Sequence, residues 1–391
     1  MLHWGYTLLI IAVIWFIVYL LGRYLKVDEK FDWTLGPLFL LMRTKRFNKI
    51  IKRIAKKYAR FWRVFGNISI FFGLLMTLAS IGLLVFSLVN FFKPIIPVTG
   101  PTVGLIIPGV TISFRTFMYL IIPIILTMVP HELAHGVVSH ADGVELKSTG
   151  LVFFAIFFGA FVEPEEEGLI KSSYKTRMRT FAAGMFPNLL LGLLTIPVLI
   201  FSANIVAPFY YPADGVLIHE VVNDTPADIE GLKRGIAIFD INSTHIDTYE
   251  TFSNYMNNTK PNQLIILNTT EGTFNIHLIP HPDFNQSGYL GVRTIPYQEP
   301  KFPWVWKFFP YFFDQTIMWT LVVSFGSVLF NALPIPFVLD GDKLLSSFLF
   351  QYMKNKKLAL IILDIFRFLA LALFLAVLII PLFKYGFVPF G

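Results

Sequence analysis

Long apolar runs separated by short charged stretches dominate the chain. Six of them, approximately Tyr6–Leu25, Ile68–Phe92, Phe117–Val138, Thr180–Ala203, Tyr311–Leu333 and Leu358–Phe383, are long enough to cross about 30 Å of hydrocarbon as helices. Two segments break this pattern. Val144–Val162 reads VELKSTGLVFFAIFFGAFV, is rich in β-forming residues and is punctuated by Gly150 and Gly159. It is short for a spanning helix. Strand backbone at membrane depth must find its partners within protein, so this segment predicts a re-entrant β-hairpin. In Tyr210–Thr294 polar residues return: Gly215–Val222, Gln263–Asn268 and Thr273–Ile279 predict strands, and Asp224-Thr225-Pro226-Ala227 predicts a turn entering a helix. A segment of about 85 residues can bury its own core. The expected fold class is an α-helical polytopic membrane protein of about six transmembrane helices, with a re-entrant β-hairpin and an inserted α+β domain. Its expected parts are residues 1–115, 116–208, 209–296 (the soluble domain) and 297–391.

Composition points the same way. Apolar residues make up 55% and charged ones 15%, with 42 Phe. A soluble domain carries about a quarter charged residues, so the surplus apolar surface is expected to face lipid. The net charge of +7 is concentrated, because Arg43 to Arg63 holds ten Lys or Arg and no acid. Phe47, Ile50, Ile51, Ile54, Phe61 and Trp62 interleave with those cations, which predicts an amphipathic helix on the headgroups of a lipid bilayer and no nucleic-acid partner. Lys171, Lys175, Arg177 and Arg179 follow the third run, and Lys354, Lys356 and Lys357 follow the fifth. The positive-inside bias then makes the basic loops cytoplasmic and puts both termini and the soluble domain outside. No basic region or small-residue cleavage site accompanies the first run, so no cleavable signal peptide is expected. Cysteine is absent, which excludes disulfides, thiolate-bound zinc and thiol catalysis.

The strongest chemical signal is His131-Glu132-Leu133-Ala134-His135. Helical positions i and i+4 share a face, so both imidazoles can reach one Zn²⁺ at about 2.0–2.1 Å. Glu132 is rotated off that face and suits a general base better than a ligand. Ionisable residues inside a spanning helix are costly unless something compensates them, and a metal does so. The plainer alternative is a polar pair that holds helices together. A catalytic zinc needs a third protein ligand. The best candidate lies in Asn331–Gly341 (NALPIPFVLDG), where Pro334 and Pro336 break the fifth helix and free the carboxylate of Asp340. An Asp after a broken helix is also a common cap.

His131–Gly136 (HELAHG) followed by Asn331, Pro334 and Leu339-Asp340-Gly341 resembles the site-2 protease family, known by a His-Glu-x-x-His-Gly motif and a later Asn-x-x-Pro…Leu-Asp-Gly motif. The resemblance covers roughly Phe117 to Ser346. It implies zinc held by His131, His135 and Asp340, water activated by Glu132, and cleavage of single-span membrane-protein substrates within the bilayer, usually after an upstream protease has trimmed them. Ala183–Asn188 is similar to the family's glycine-containing segment ending in Asn, which implies that Asn188 helps hold substrate; Asn331 is assigned to substrate binding in the same way. The hairpin is similar to the family's strand beside the active site, which implies pairing with an unwound substrate. The outer domain looks like a PDZ domain, from Gly215-Val216-Leu217-Ile218 through Thr225-Pro226-Ala227 to Gly231–Gly235, and departs from it at Ile236, where Asp is common. Asp342 stands where many members have a second Gly, which makes it a competing ligand.

Other polar residues receive plainer readings. His140 is expected at the interface, Glu163–Glu167 as a solvated loop, and Asp364 paired with Arg367 at i, i+3. Three rivals remain. A prenyl-protein-type membrane zinc protease takes a Glu as third ligand, and no second glutamate motif follows. A catalytically inactive scaffold of the same fold would be free to lose Glu132. A transporter would show two similar halves with broken helices, and no internal repeat is evident.

Overall fold

The computed structural model describes residues 4–93, 106–108, 111–155, 157–282, 286–337 and 339–385. They form two compact units, Met1–Pro197 with Thr316–Gly391, and Val198–Gln315.

In the first unit, α1 (Trp4–Leu25) stops where Lys26 takes a φ of 52°, and the one-turn α2 (Val27–Lys30) follows. Then come β1 (Trp33–Leu35), β2 (Phe39–Thr44), α3 (Asn48–Lys57), α4 (Ala59–Phe92) and α5 (Phe114–Ala141). Next are β3 (Leu146–Phe154), β4 (Phe157–Pro164), the short α6 (Glu166–Lys171), α7 (Tyr174–Ala183) and α8 (Met185–Ile200). The basic segment is therefore not one helix: its first residues belong to β2, and Tyr58 interrupts the rest with φ −122°. Local periodicity could not reveal this, because β2 is stabilised by a partner about 110 residues away along the chain.

The expected hairpin is present as β3 and β4, and it belongs to an antiparallel sheet of order β1-β2-β3-β4. β2 pairs with β3 from Phe39↔Phe154 to Thr44↔Thr149, and β4 pairs with the other edge of β3 from Phe154↔Phe157 to Thr149↔Val162. Gly150 lets β2 approach, since a Cβ there would strike the Met42 carbonyl oxygen and the Phe161 ring. The acidic run is not one solvated loop. Glu163 lies in β4 and accepts from Lys147 Nζ (2.7 Å) and Ser148 Oγ (2.6 Å), while Glu166 starts α6. Opposite charges in reach, rather than water, fix Glu163.

The second unit begins with α9 (Ser202–Val206) and β5 (Tyr210–Val221), followed by α10 (Pro226–Ile229), β6 (Ala237–Ile241), β7 (Thr244–His245) and α11 (Tyr249–Asn257). It closes with β8 (Leu264–Thr269), β9 (Gly272–His277), β10 (Ile279–Pro280), β11 (Gly288–Tyr289) and β12 (Val292–Pro300). Its main sheet runs β12-β5-β6-β8-β9, with β7 on β6. Alternate residues of β8 (Ile265, Leu267) are buried, as expected for a strand with one face on the core. They meet Val216, Ile218, Ile238, Ile276 and Phe252 of α11, and Ile236 is buried among them.

The chain returns through α12 (Phe309–Asn331), α13 (Asp340–Tyr352) and α14 (Lys356–Tyr385). Among the described residues five helices are long and apolar enough to cross a membrane: Ala59–Phe92, Phe114–Ala141, Tyr174–Ile200, Phe309–Asn331 and Lys356–Pro381. The first run contributes a shorter apolar helix, Leu9–Leu25. Phe71, Leu75 and Leu78 of α4 and Ile361, Ile365 and Phe368 of α14 stand exposed, a surface suited to lipid. The opposite face of α4 is a seam of small residues, Gly66, Ser69, Gly73, Thr77 and Ser80. Small residues let spanning helices approach closely. A Cβ on Gly73 would press on Leu344, Met185 and Ala182, so this seam is where α4 receives α13, α8 and α7.

Candidate metal centre

His131 and His135 lie one turn apart on α5, with rings edge to face and centroids 4.8 Å apart. Their Nε2 atoms are 3.1 Å from each other, and Asp340 Oδ2 lies 3.2 Å from the first and 3.1 Å from the second. Together they form a group of His and Asp able to hold a metal ion, buried or nearly so. Asp340 arrives there because α12 ends at Asn331, ahead of Pro334 and Pro336, and α13 begins at Asp340 itself. The N-cap position is Leu339, which makes no side-chain cap bond, so the carboxylate of Asp340 is not used as a cap. Gly341 permits this path, since a Cβ would collide with the carbonyl oxygens of Ala332 and Leu333.

The donor triangle fits zinc. A tetrahedral ion with ligands at about 2.0–2.1 Å sets them about 3.3 Å apart, close to the 3.1–3.2 Å seen here. The space is also kept open. Gly184, between α7 and α8, has an ordinary helical φ of −68°, yet any Cβ on it would run into His135 Nε2 and His131 Nε2. Close approach, not backbone conformation, demands glycine here.

Both rings present the required nitrogen. His135 Nδ1 donates to the Thr180 carbonyl oxygen at 2.7 Å, which leaves Nε2 with a free lone pair. His131 Nδ1 faces the side-chain amide of Asn188 at 3.2 Å, and that same amide atom is 3.1 Å from Ser327 Oγ. That atom is Nδ2, and the buried Oδ1 has no partner among the described residues. A half-turn of the side-chain amide exchanges its nitrogen and oxygen. Turned over, Oδ1 accepts from His131 Nδ1–H and from the Ser327 hydroxyl and leaves His131 Nε2 free, with the amide nitrogen then in the buried position that Oδ1 holds here.

Glu132 lies off the ligand triangle. Its Oε2 accepts from the Val162 backbone N–H at 3.1 Å, and one turn earlier Met128 Sδ receives the Ala160 N–H at 2.8 Å. Successive residues of an antiparallel strand aim their N–H groups to opposite sides, so Ala160 and Val162, two apart, aim theirs the same way. The outer edge of β4 therefore runs along the Met128/Glu132 face of α5. A cleft of about 780 Å³ holds His131, Glu132, His135, Val162, Asn331 and Asp340 in its walls. Asn331 Nδ2 also reaches Ser327 Oγ, at 3.4 Å. Asn188 is buried behind His131 and does not line the cleft.

The rival Asp342 points elsewhere. Its carboxylate takes Arg367 Nε (2.6 Å) and a second guanidinium nitrogen (2.9 Å), while the expected Asp364 partner binds the same guanidinium at 3.1 Å. His140 is buried, not interfacial, and its Nδ1 donates to the Val144 carbonyl at 3.0 Å, because α5 ends in a turn that folds over the ring. Thr180, Gly184 and Ser327 were not anticipated. Only Gly184 carried a signal, as the glycine of the segment ending in Asn188.

The profile of peptidase family M50 matches residues 119–376. An uncharacterised protein of Methanocaldococcus jannaschii is 27% identical over 365 residues, covering 89% of this chain and 87% of its own. A membrane-bound transcription factor site-2 protease homolog of Arabidopsis thaliana is 23% identical over 189 residues, 47% of this chain and 36% of that protein. Among solved structures, the PDZ domain of an SdrC-like protein from Listeria monocytogenes is similar to 21% of this chain and 88% of its own, with 23% identity and a TM-score of 0.19. The chain thus belongs to peptidase family M50, the family of the site-2 membrane metalloproteases.

Proposed function

We propose that the protein is an intramembrane zinc endopeptidase that cuts transmembrane segments of membrane proteins. The observation that carries this reading is the convergence of His131 Nε2, His135 Nε2 and Asp340 Oδ2 on one point, with the Glu132 carboxylate in the same cleft. Zinc, when bound, supplies Lewis-acid polarisation of the scissile carbonyl and a water of lowered pKa. Glu132 takes the proton of the attacking water and passes it to the leaving amide nitrogen as the C–N bond breaks. Thr180 and Asn188 hold the two imidazoles in the tautomer that the ligands require. An unwound substrate would add as a strand to the outer edge of β4, taking over the Ala160 and Val162 N–H groups from Met128 and Glu132, with Asn331 also in the wall of the cleft. Helical substrate must first unwind there, because peptide carbonyls inside a helix are not accessible.

In this reading α1 is the sixth span, the basic loops face the cytoplasm, and both termini and the Val198–Gln315 unit lie outside. That unit is a PDZ-like domain on the strength of its sequence pattern, with α10 opening at Pro226 and α11 beside the sheet. It filters substrates already trimmed by an upstream protease. The test is to co-express wild type or Glu132→Gln with a panel of tagged single-span proteins. Shortened products that require Glu132 support the reading, and identical product patterns with both would refute it. An inactive scaffold is the second reading, and the retained Glu132 stands against it.

A further inference from the structure

We propose that the outer surface of α3 is a docking site for anionic phospholipid headgroups, and that lipid seated there holds the HELAHG helix in its working position. The second half rests on the proteolytic reading above. The first does not.

Three faces of α3 carry the argument. Ile51 and Ala55 are buried against Val137 and Ala141 of α5 and Leu146 of β3. A second stripe, Phe47, Ile50, Ile54 and Tyr58, follows the three- and four-residue spacing of one helix side, and its members are between 39% and 58% exposed. The third face holds the exposed Lys49, Arg53, Lys56 and Lys57, with no acid anywhere between Arg43 and Arg63. Water suits the cations but not the apolar stripe, and a protein core suits the reverse. A headgroup boundary accommodates both, and polybasic segments add affinity for its anionic lipids.

A second observation sets the depth. α4 starts at Ala59, directly after Tyr58, and runs for 34 residues. At about 1.5 Å per residue that length far exceeds about 30 Å of hydrocarbon. The first turns of α4, with Arg60 and Arg63, therefore extend beyond the apolar layer and keep α3 at headgroup level.

The inner face reaches the chemistry. Gly136 follows His135, and a Cβ on it would contact both Val162 of β4 and Ile51 of α3. Asn48 Nδ2 bonds to the carbonyls of Leu146 (3.2 Å) and Lys147 (3.3 Å) at the start of β3, and Lys52 pairs with Glu145. Pressing α3 onto the bilayer thus seats it between the metal-binding helix and the hairpin that bears the edge strand.

The experiment uses the full chain in vesicles of phosphatidylcholine alone or mixed with phosphatidylglycerol. Cleavage by wild type should rise about fivefold with the anionic lipid, and the rise should shrink in high salt. It should vanish in Lys49→Gln/Arg53→Gln/Lys56→Gln/Lys57→Gln, whose zinc content stays that of wild type. Equal wild-type rates in both lipids would overturn the coupling without calling on any variant. Soluble glycerophosphate that reproduces the rise in neutral vesicles would overturn the lipid assignment in favour of a small-anion site. Lipid retained by purified Glu132→Gln, read by native mass spectrometry, tests the dock without catalysis. Preferential retention of phosphatidylglycerol supports it, and indiscriminate retention overturns it, whether or not the wild type cuts anything.

Discussion

His135 is fixed by Thr180: the imidazole Nδ1 and the backbone carbonyl oxygen are 2.7 Å apart. The neighbouring residue, Arg179, spans back to α5 and grips Asp142 with Nη1 at 3.0 Å from both carboxylate oxygens, while Arg63 Nε binds the same carboxylate at 3.1 Å. The Asp142 and Arg179 side chains are only 6% and 13% exposed. This half-buried cluster of Asp142 with Arg179 and Arg63 ties α7 to the end of α5, and so helps set where Thr180 holds the ring. Arg179→Gln should weaken zinc binding about 10–100-fold, the usual cost of losing a group that orients a ligand. Competition against a chelator measures it. Unchanged zinc affinity would show that the pair merely braces the helices.

Glu132→Gln should fold, keep its zinc and lose cleavage by about 10²–10⁴-fold, because an amide cannot take the proton. His131→Ala and His135→Ala should lose the metal as well. Elemental analysis beside a cleavage assay separates the two outcomes.

Gly184→Ala tests the metal space without substituting a ligand. Alanine suits the helical backbone there, so the fold should survive. Its Cβ would stand where the two Nε2 atoms converge, and zinc affinity should fall about 100-fold, at the upper end of what a change beside the ligands costs. Full zinc occupancy in a well-folded Gly184→Ala protein would mean that the ion sits elsewhere.

The Val198–Gln315 unit carries a pH response of its own. His245 lies between Asp240 (3.0 Å) and Asp214 (2.9 Å), and these hydrogen bonds, Asp240 foremost, raise its pKa above 6.5. A raised folded-state pKa stabilises the fold fully below the unfolded value, and the contribution is lost as pH climbs through the folded one. Stability of this unit should therefore decline as pH rises from about 6.5 upward, weakly because all three side chains are largely solvated. Histidine signals followed by NMR should show one titrating above the free value. It should disappear in His245→Gln and move down in Asp240→Asn.

Much of the candidate site could be read along the chain, because helical spacing and proline breaks are local. His131 and His135 need only 3.6 residues per turn to share a face, and Pro334 and Pro336 announce that Asp340 leaves the helix. What escaped depends on distant partners. β2 ends inside the basic run and has no pattern of its own until β3 pairs with it. Asp364 and Arg367 do meet, as their spacing suggests, but Asp342, far off in sequence, binds the same guanidinium more closely. His140 follows the buried side of α5 only because the turn at Val144 closes over it.

That guanidinium also sharpens the ligand question between Asp340 and Asp342. Asp340 Oδ2 lies within 3.2 Å of both Nε2 atoms, whereas both oxygens of Asp342 are taken by Arg367. Asp340→Asn should lower zinc affinity by orders of magnitude with little loss of fold, since the amide is a poor substitute for a charged ligand. Asp342→Asn should do the opposite. It should keep zinc but lose about 2 kcal/mol of stability, less than a fully buried pair would cost, because Arg367 retains Asp364 and is 28% exposed. Zinc content and thermal unfolding of both variants in detergent, after mild chelation, give a two-by-two outcome. If Asp342→Asn is the protein that empties, the carboxylate that reaches the metal is two residues further on. If neither loses zinc, the third ligand does not come from the start of α13.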